Sequence, residues 1–136
     1  MIKNNSNSVI TKYNKSQRKD YAKMCDTLMS EIDSALSKST SKIYHSNPVW
    51  FIDDNPIVGY TATAQSVNLL FWSGQSFDEP ELLPIGKSKA AQVKYQKPED
   101  VNLKSLKRWL KKSKEIMWNY KDIVKNKGKL SLLTKK

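Results

Sequence analysis

Residues 42–74, KIYHSNPVWFIDDNPIVGYTATAQSVNLLFWSG, constrain the fold more than any other stretch. They combine a dense set of aromatic side chains, the single histidine and the best strand signals of the chain. Val49-Trp50-Phe51-Ile52 is β-branched and aromatic, and Asp53-Asp54-Asn55-Pro56 stops it with turn chemistry. The pattern resumes over residues 57–64, with Val58, Tyr60 and Ala62 on one face and Ile57, Gly59, Thr61 and Thr63 on the other. After the polar break at Gln65-Ser66, residues 67–72 are apolar on both faces, which suits a central strand. These breaks are too short for a parallel crossover, so antiparallel hairpins are expected.

A chain of 136 residues suits one domain, and folding would bury roughly 68% of its unfolded surface. No apolar run approaches the ~18 residues of a membrane helix. Residues 1–8, MIKNNSNS, lack the apolar core of a secretory signal. One cysteine, Cys25, cannot form an internal disulfide. A cytoplasmic setting, with no membrane partner, is the expectation.

The net charge of +11 is unevenly distributed. Residues 1–84 carry 8 Lys/Arg against 9 Asp/Glu, whereas residues 85–136 carry 16 against 4. The basic excess therefore lies wholly in the later part of the chain. Such a segment attracts polyanions or simply forms a solvated lysine surface.

Three regions are expected: a disordered polar arm at 1–15, a single α+β domain at 16–125 and a basic tail at 126–136. A first helix should start near Ser16, with Tyr21, Met24, Cys25, Leu28, Ile32, Ala35 and Leu36 in one apolar stripe. Cys25 lies within that stripe, which reads as a buried thiol rather than a nucleophile. Phe77-Asp78-Glu79-Pro80-Glu81-Leu82-Leu83-Pro84 reads as a loop, and residues 89–95 as a weaker edge strand. A second long helix is expected from about Asn102 to Val124, entered through Lys97-Pro98-Glu99-Asp100. The expected fold class is α+β: an antiparallel sheet of about four to five strands packed against an N-terminal and a C-terminal long helix.

Gly86-Lys87-Ser88 imitates the end of a phosphate loop, but Glu81 occupies the position that requires glycine. His45 has no Cys/His spacing around it, so a metal site would need carboxylates such as Asp53 and Asp54. Asp20, Asp26, Glu31 and Asp33 fall on the exposed side of the first helix, as oxygen ligands for a hard cation or as an ordinary solvated face. His45, Trp50, Tyr60 and Trp72 are candidates to line a pocket on the sheet. Lys104, Lys107, Arg108, Lys111 and Lys114 recur on one side of the second helix. Trp118 projects near them and would supply a stacking aromatic for a single strand or cover a neighbouring loop. No constellation points to catalysis.

Assembled, these segments resemble the YdhG-like family of small bacterial domains. The resemblance rests on Lys42-Ile43-Tyr44-His45, Pro48-Val49-Trp50-Phe51 and Gly59-Tyr60, then on residues 69–77, Pro84-Ile85-Gly86-Lys87 and residues 106–112. It covers roughly residues 18–125. Ser46 departs from the glycine that often follows the histidine. The resemblance implies a compact α+β domain. It also implies an activity, because a relative is described as a frataxin-like intracellular iron chaperone serving iron–sulfur and haem assembly. By location, the counterparts of such an acidic iron site would be Asp20, Asp26, Glu31, Asp33, Asp53 and Asp54. The reading is thus a non-enzymatic cytoplasmic binding domain, with iron as candidate cofactor and iron–sulfur or haem assembly proteins as candidate partners. The alternative is polyanion or nucleic-acid binding through the basic helix.

Overall fold

In the computed structural model, which describes residues 7–133, three helices lie on one face of a six-stranded antiparallel sheet. The helices are α1 (Ser8–Lys15), α2 (Lys19–Ala35) and α3 (Leu103–Glu115). The strands are β1 (Thr40–Tyr44), β2 (Asn47–Ile52), β3 (Asn55–Ala62), β4 (Val67–Phe71), β5 (Leu83–Pro84) and β6 (Ala91–Tyr95), in the spatial order β1-β2-β3-β4-β6-β5. The α+β class holds, with six strands against the four to five expected.

Two-residue turns join β1 to β2 and β2 to β3. His45 and Ser46 have φ of 52° and 72°, and Asp53 and Asp54 have 51° and 66°. Positive φ at both central residues matches the right-handed twist of the flanking strands. The register then places Val49, Gly59, Leu70 and Gln92 in one row across four strands. Their neighbours Trp50, Val58, Leu69, Phe71 and Ala91 face the helices. There they join Met24, Cys25, Leu28, Ile32, Leu106, Trp109 and Leu110 in one buried core.

The polar arm expected at 1–15 is a helix from Ser8 onward; residues 1–6 lie outside the described residues. Asn7 caps α1 by accepting from the Val9 amide at 3.0 Å. Ile10 and Asn14 are fully buried. Asn14 donates to Asp26 Oδ1 at 3.1 Å and accepts from the Tyr60 hydroxyl at 2.7 Å, while the Tyr13 hydroxyl accepts from the Ala62 amide. Paired polar atoms thus dock a helix whose composition suggests disorder.

α3 stops at Glu115, well before the expected Val124. Buried Asn55 accounts for the early stop, because it satisfies main-chain groups that a continued helix would have bonded internally. Its Oδ1 accepts from the amides of Tyr120 (2.8 Å) and Lys121 (3.0 Å), and its Nδ2 donates to the Trp118 carbonyl (3.0 Å). The tail expected at 126–136 folds back as far as it is described. Leu133 donates its amide to the Met117 carbonyl, and Asn119 donates to Ser131. Residues 134–136 lie outside the described residues. The edge strand expected at 89–95 begins at Ala91 and pairs fully with β4, while β5 covers only its first two residues on the other side.

Candidate functional site

The sheet face opposite the helices carries a recess of about 150 Å³. Gly59 lies at its centre. A Cβ there would come within 2.5 Å of the Pro48 carbonyl oxygen, so the close approach of β2 and β3 requires glycine. The absent side chain leaves a gap in the Val49–Gly59–Leu70–Gln92 row. Tyr44 and His45, from the β1–β2 hairpin, form one wall, with ring centroids 4.2 Å apart. Trp72, just beyond β4, also lines the recess. The left-handed backbone at His45 holds its imidazole beside the sheet instead of along β1.

Polar groups border the recess without filling it. Asn47 is engaged, donating to the His45 carbonyl, and Asn68 accepts from the Ser66 hydroxyl. The side chains of Thr61 and Gln92 line the recess and have no hydrogen-bond partner among the described residues. Among the described residues, no carboxylate, lysine or arginine lines it. The lining is therefore apolar and aromatic, with a few uncharged polar groups, the usual make-up of a small-molecule site.

Of the four residues expected at a pocket, His45 and Trp72 line the recess. Tyr60 borders it, but its hydroxyl is on the helix side, bonded to Asn14. Burial holds that phenol protonated far above its ordinary range. Trp50 is a correction: its indole faces α2 and donates to Asp33 Oδ1 at 2.7 Å. Alternation along β2 decides this, because Val49 takes the open face and turns Trp50 away. Tyr44, Gly59 and Gln92 were not singled out by sequence. Only cross-strand register brings them together.

The six acidic residues do not form one centre. Asp20 pairs with Arg18 at 2.8 Å, Asp26 with Asn14, Glu31 with Lys107 at 3.8 Å and Asp33 with Trp50. Asp53 and Asp54 occupy the β2–β3 turn. Among the described residues, no three or more His, Cys, Asp or Glu side chains come together as metal ligands. Cys25 is fully buried, and burial foremost pushes its thiol up to about 12. It lies on the helix side of the sheet, across from His45, so no Cys–His pair forms.

The basic residues of α3 face solvent, but most are engaged. Arg108 forks onto Glu79 with bonds of 2.8 and 2.7 Å, and Lys111 pairs with Glu115 at 3.0 Å. Lys112 also reaches Glu79, at 2.6 Å. Lys104 and Lys114 have no such partner among the described residues. Trp118 is not on the helix at all. Its indole donates to Ser76, Lys89 sits 4.5 Å above its ring, and its backbone pairs with Leu132. It covers a loop instead of offering a free stacking face.

No family model matches the sequence, and no curated protein does. The structure is similar to a crystal structure of YdhG, a DUF1801-family protein from Bacillus subtilis. The TM-score is 0.58 at 9% identity, covering 88% of this chain and 92% of that chain. The fold is that of the YdhG-like family. Residues 42–77, on which much of the sequence resemblance rests, build the central YdhG-like sheet. At this identity the likeness concerns the fold and places no ligand. No helix among the described residues is long and apolar enough to cross a membrane.

Proposed function

We propose that this chain is a non-enzymatic binding domain that takes a small organic ligand in the recess on its open sheet face. The observation that carries this reading is the Gly59 gap. An apolar, aromatic-walled hollow is built by five separate segments, and the core has no use for it. Iron delivery, the reading implied by the family resemblance, has less support, because the six candidate acids are dispersed and mostly paired. Nuclear magnetic resonance titration with neutral single-ring compounds tests the proposal. Shifts should cluster at His45, Gly59, Leu70 and Gln92, and Leu70→Trp, which fills the hollow, should abolish them. Shifts elsewhere, or shifts that survive Leu70→Trp, would overturn it.

A second reading, polyanion binding in a cytoplasmic setting, is favoured by the solvent-facing row of Lys104, Lys107, Lys111 and Lys114. Affinity for a labelled single-stranded oligonucleotide should then fall steeply with salt. Absence of binding at low salt removes this reading.

A further inference from the structure

We infer that the recess selects neutral, flat, single-ring heteroaromatic compounds that carry an amide-type edge, and that Gln92 reads that edge. This inference rests on the recess being the ligand site.

Size comes first. A cavity of about 150 Å³ is the volume in which an engineered protein cavity holds one benzene. A single ring fits, while a fused ring system would extend into solvent. Shape is set by the walls: Tyr44, His45 and Trp72 present flat surfaces, and Val49, Gly59 and Leu70 form a low floor. Aromatic walls favour planar guests through offset or edge-on contact.

Charge is decided by what is missing from the lining. Among the described residues, no carboxylate, lysine or arginine lines it. Lys42, opposite Val49 on the same face, holds its ammonium over the Phe51 and Tyr44 rings at 4.8 and 5.8 Å, outside the lining. An ionised ring would therefore surrender its hydration with no direct counter-charge in return. A neutral guest avoids that cost.

The polar edge is decided by Gln92. It follows Leu70 in the row, with Leu83 of β5 beyond it, and its amide has both a donor and an acceptor group with no partner among the described residues. Thr61 adds a hydroxyl in the same condition. A purely hydrocarbon ring would cover these groups and leave them unpaired, which is unfavourable. A carboxamide or lactam edge presents the matching donor and acceptor side by side. Nicotinamide and uracil are probes of this class.

Calorimetric or resonance titration with nicotinamide, uracil, toluene and benzoate provides the test, on the unmodified chain and on Gln92→Leu. Nicotinamide or uracil should bind about tenfold more tightly than toluene or benzoate, as one good hydrogen-bond pair permits. Gln92→Leu should erase that advantage, weakening nicotinamide and uracil while toluene binds no more weakly than before. Should thermal melting show that Gln92→Leu is not folded, Thr61→Val serves instead and should give a smaller loss in the same direction. If toluene binds as well as the amides, or neither variant alters the ranking, the edge reading falls while the recess remains a ligand site. If no ring compound perturbs the recess, both readings fall.

Discussion

Ser46 occupies a backbone position with φ of 72°, next to His45 at 52°. Glycine is the unstrained choice at the second centre of such a turn. A side chain there costs about 1–2 kcal/mol in the left-handed region, and glycine returns about 0.5–1 kcal/mol of that through its looser unfolded chain. Ser46→Gly should therefore raise stability by about 0.5 kcal/mol, read from denaturant midpoints. A loss of stability would mean that the Ser46 side chain contributes something the turn geometry does not show. His45 illustrates what sequence reading reached and missed. Its place in the strand-rich segment 42–74 was legible, but the turn it occupies was not. Its role as a wall was not, because that depends on a left-handed φ and on the Tyr44 ring beside it. Gly59 was legible only as a residue on a strand face, since the close approach of the Pro48 carbonyl is a fact of pairing.

Among the elements, α3 is held to the loop before β5 by Glu79, whose side chain is only 6% exposed. Arg108 foremost, and then Lys112, hold its carboxyl well below the usual carboxylate range. A carboxylate with a lowered pKa stabilises the fold above its ordinary value near 4.5, and that contribution fades as pH falls below it. Glu79→Gln should cost about 1.5–3 kcal/mol at pH 7, and the gap to the parent should narrow below about pH 4.5. Chemical denaturation at several pH values checks this, and a gap unchanged down to pH 3 would contradict it. The loop–helix clamp was illegible because Glu79 and Arg108 are 29 residues apart and no pattern links them. The end of α3 was misread for a related reason. Ile116, Met117, Tyr120 and Val124 continue a helical spacing, but Asn55, 63 residues before Trp118, takes over the main-chain bonds. Asn55→Ala should cost about 1–3 kcal/mol and speed amide exchange at Tyr120 and Lys121 above all. Exchange unchanged at those two amides would rule out this role for Asn55.

For the molecule as a whole, the central strands and both long apolar stripes were readable because their periods are simple and their partners are each other. Leu69 is fully buried among residues of α2, α3 and the sheet. Leu69→Ala should cost about 2–5 kcal/mol, and a loss below about 0.5 kcal/mol in a denaturant melt would remove it from the core. What composition hid was the share of polar residues in closing the fold. Asn14 joins α1 to β3 across 46 positions, and Asn55 joins β3 to the segment after α3. On a growing chain these links impose an order of events. Residues 47–62 can pair as soon as they are made, but Asn55 then waits, unmet, for main-chain groups that follow it by 63 to 66 positions. A nascent chain halted at Glu115 should already be helical and collapsed, yet remain open to protease near Asn55. Only the segment after α3 would seal it, so residues 116–133 act as the latch of the sheet's other end. Equal protease resistance at residues 50–60 in the halted chain and in one that includes residues 116–133 would show that no such waiting occurs.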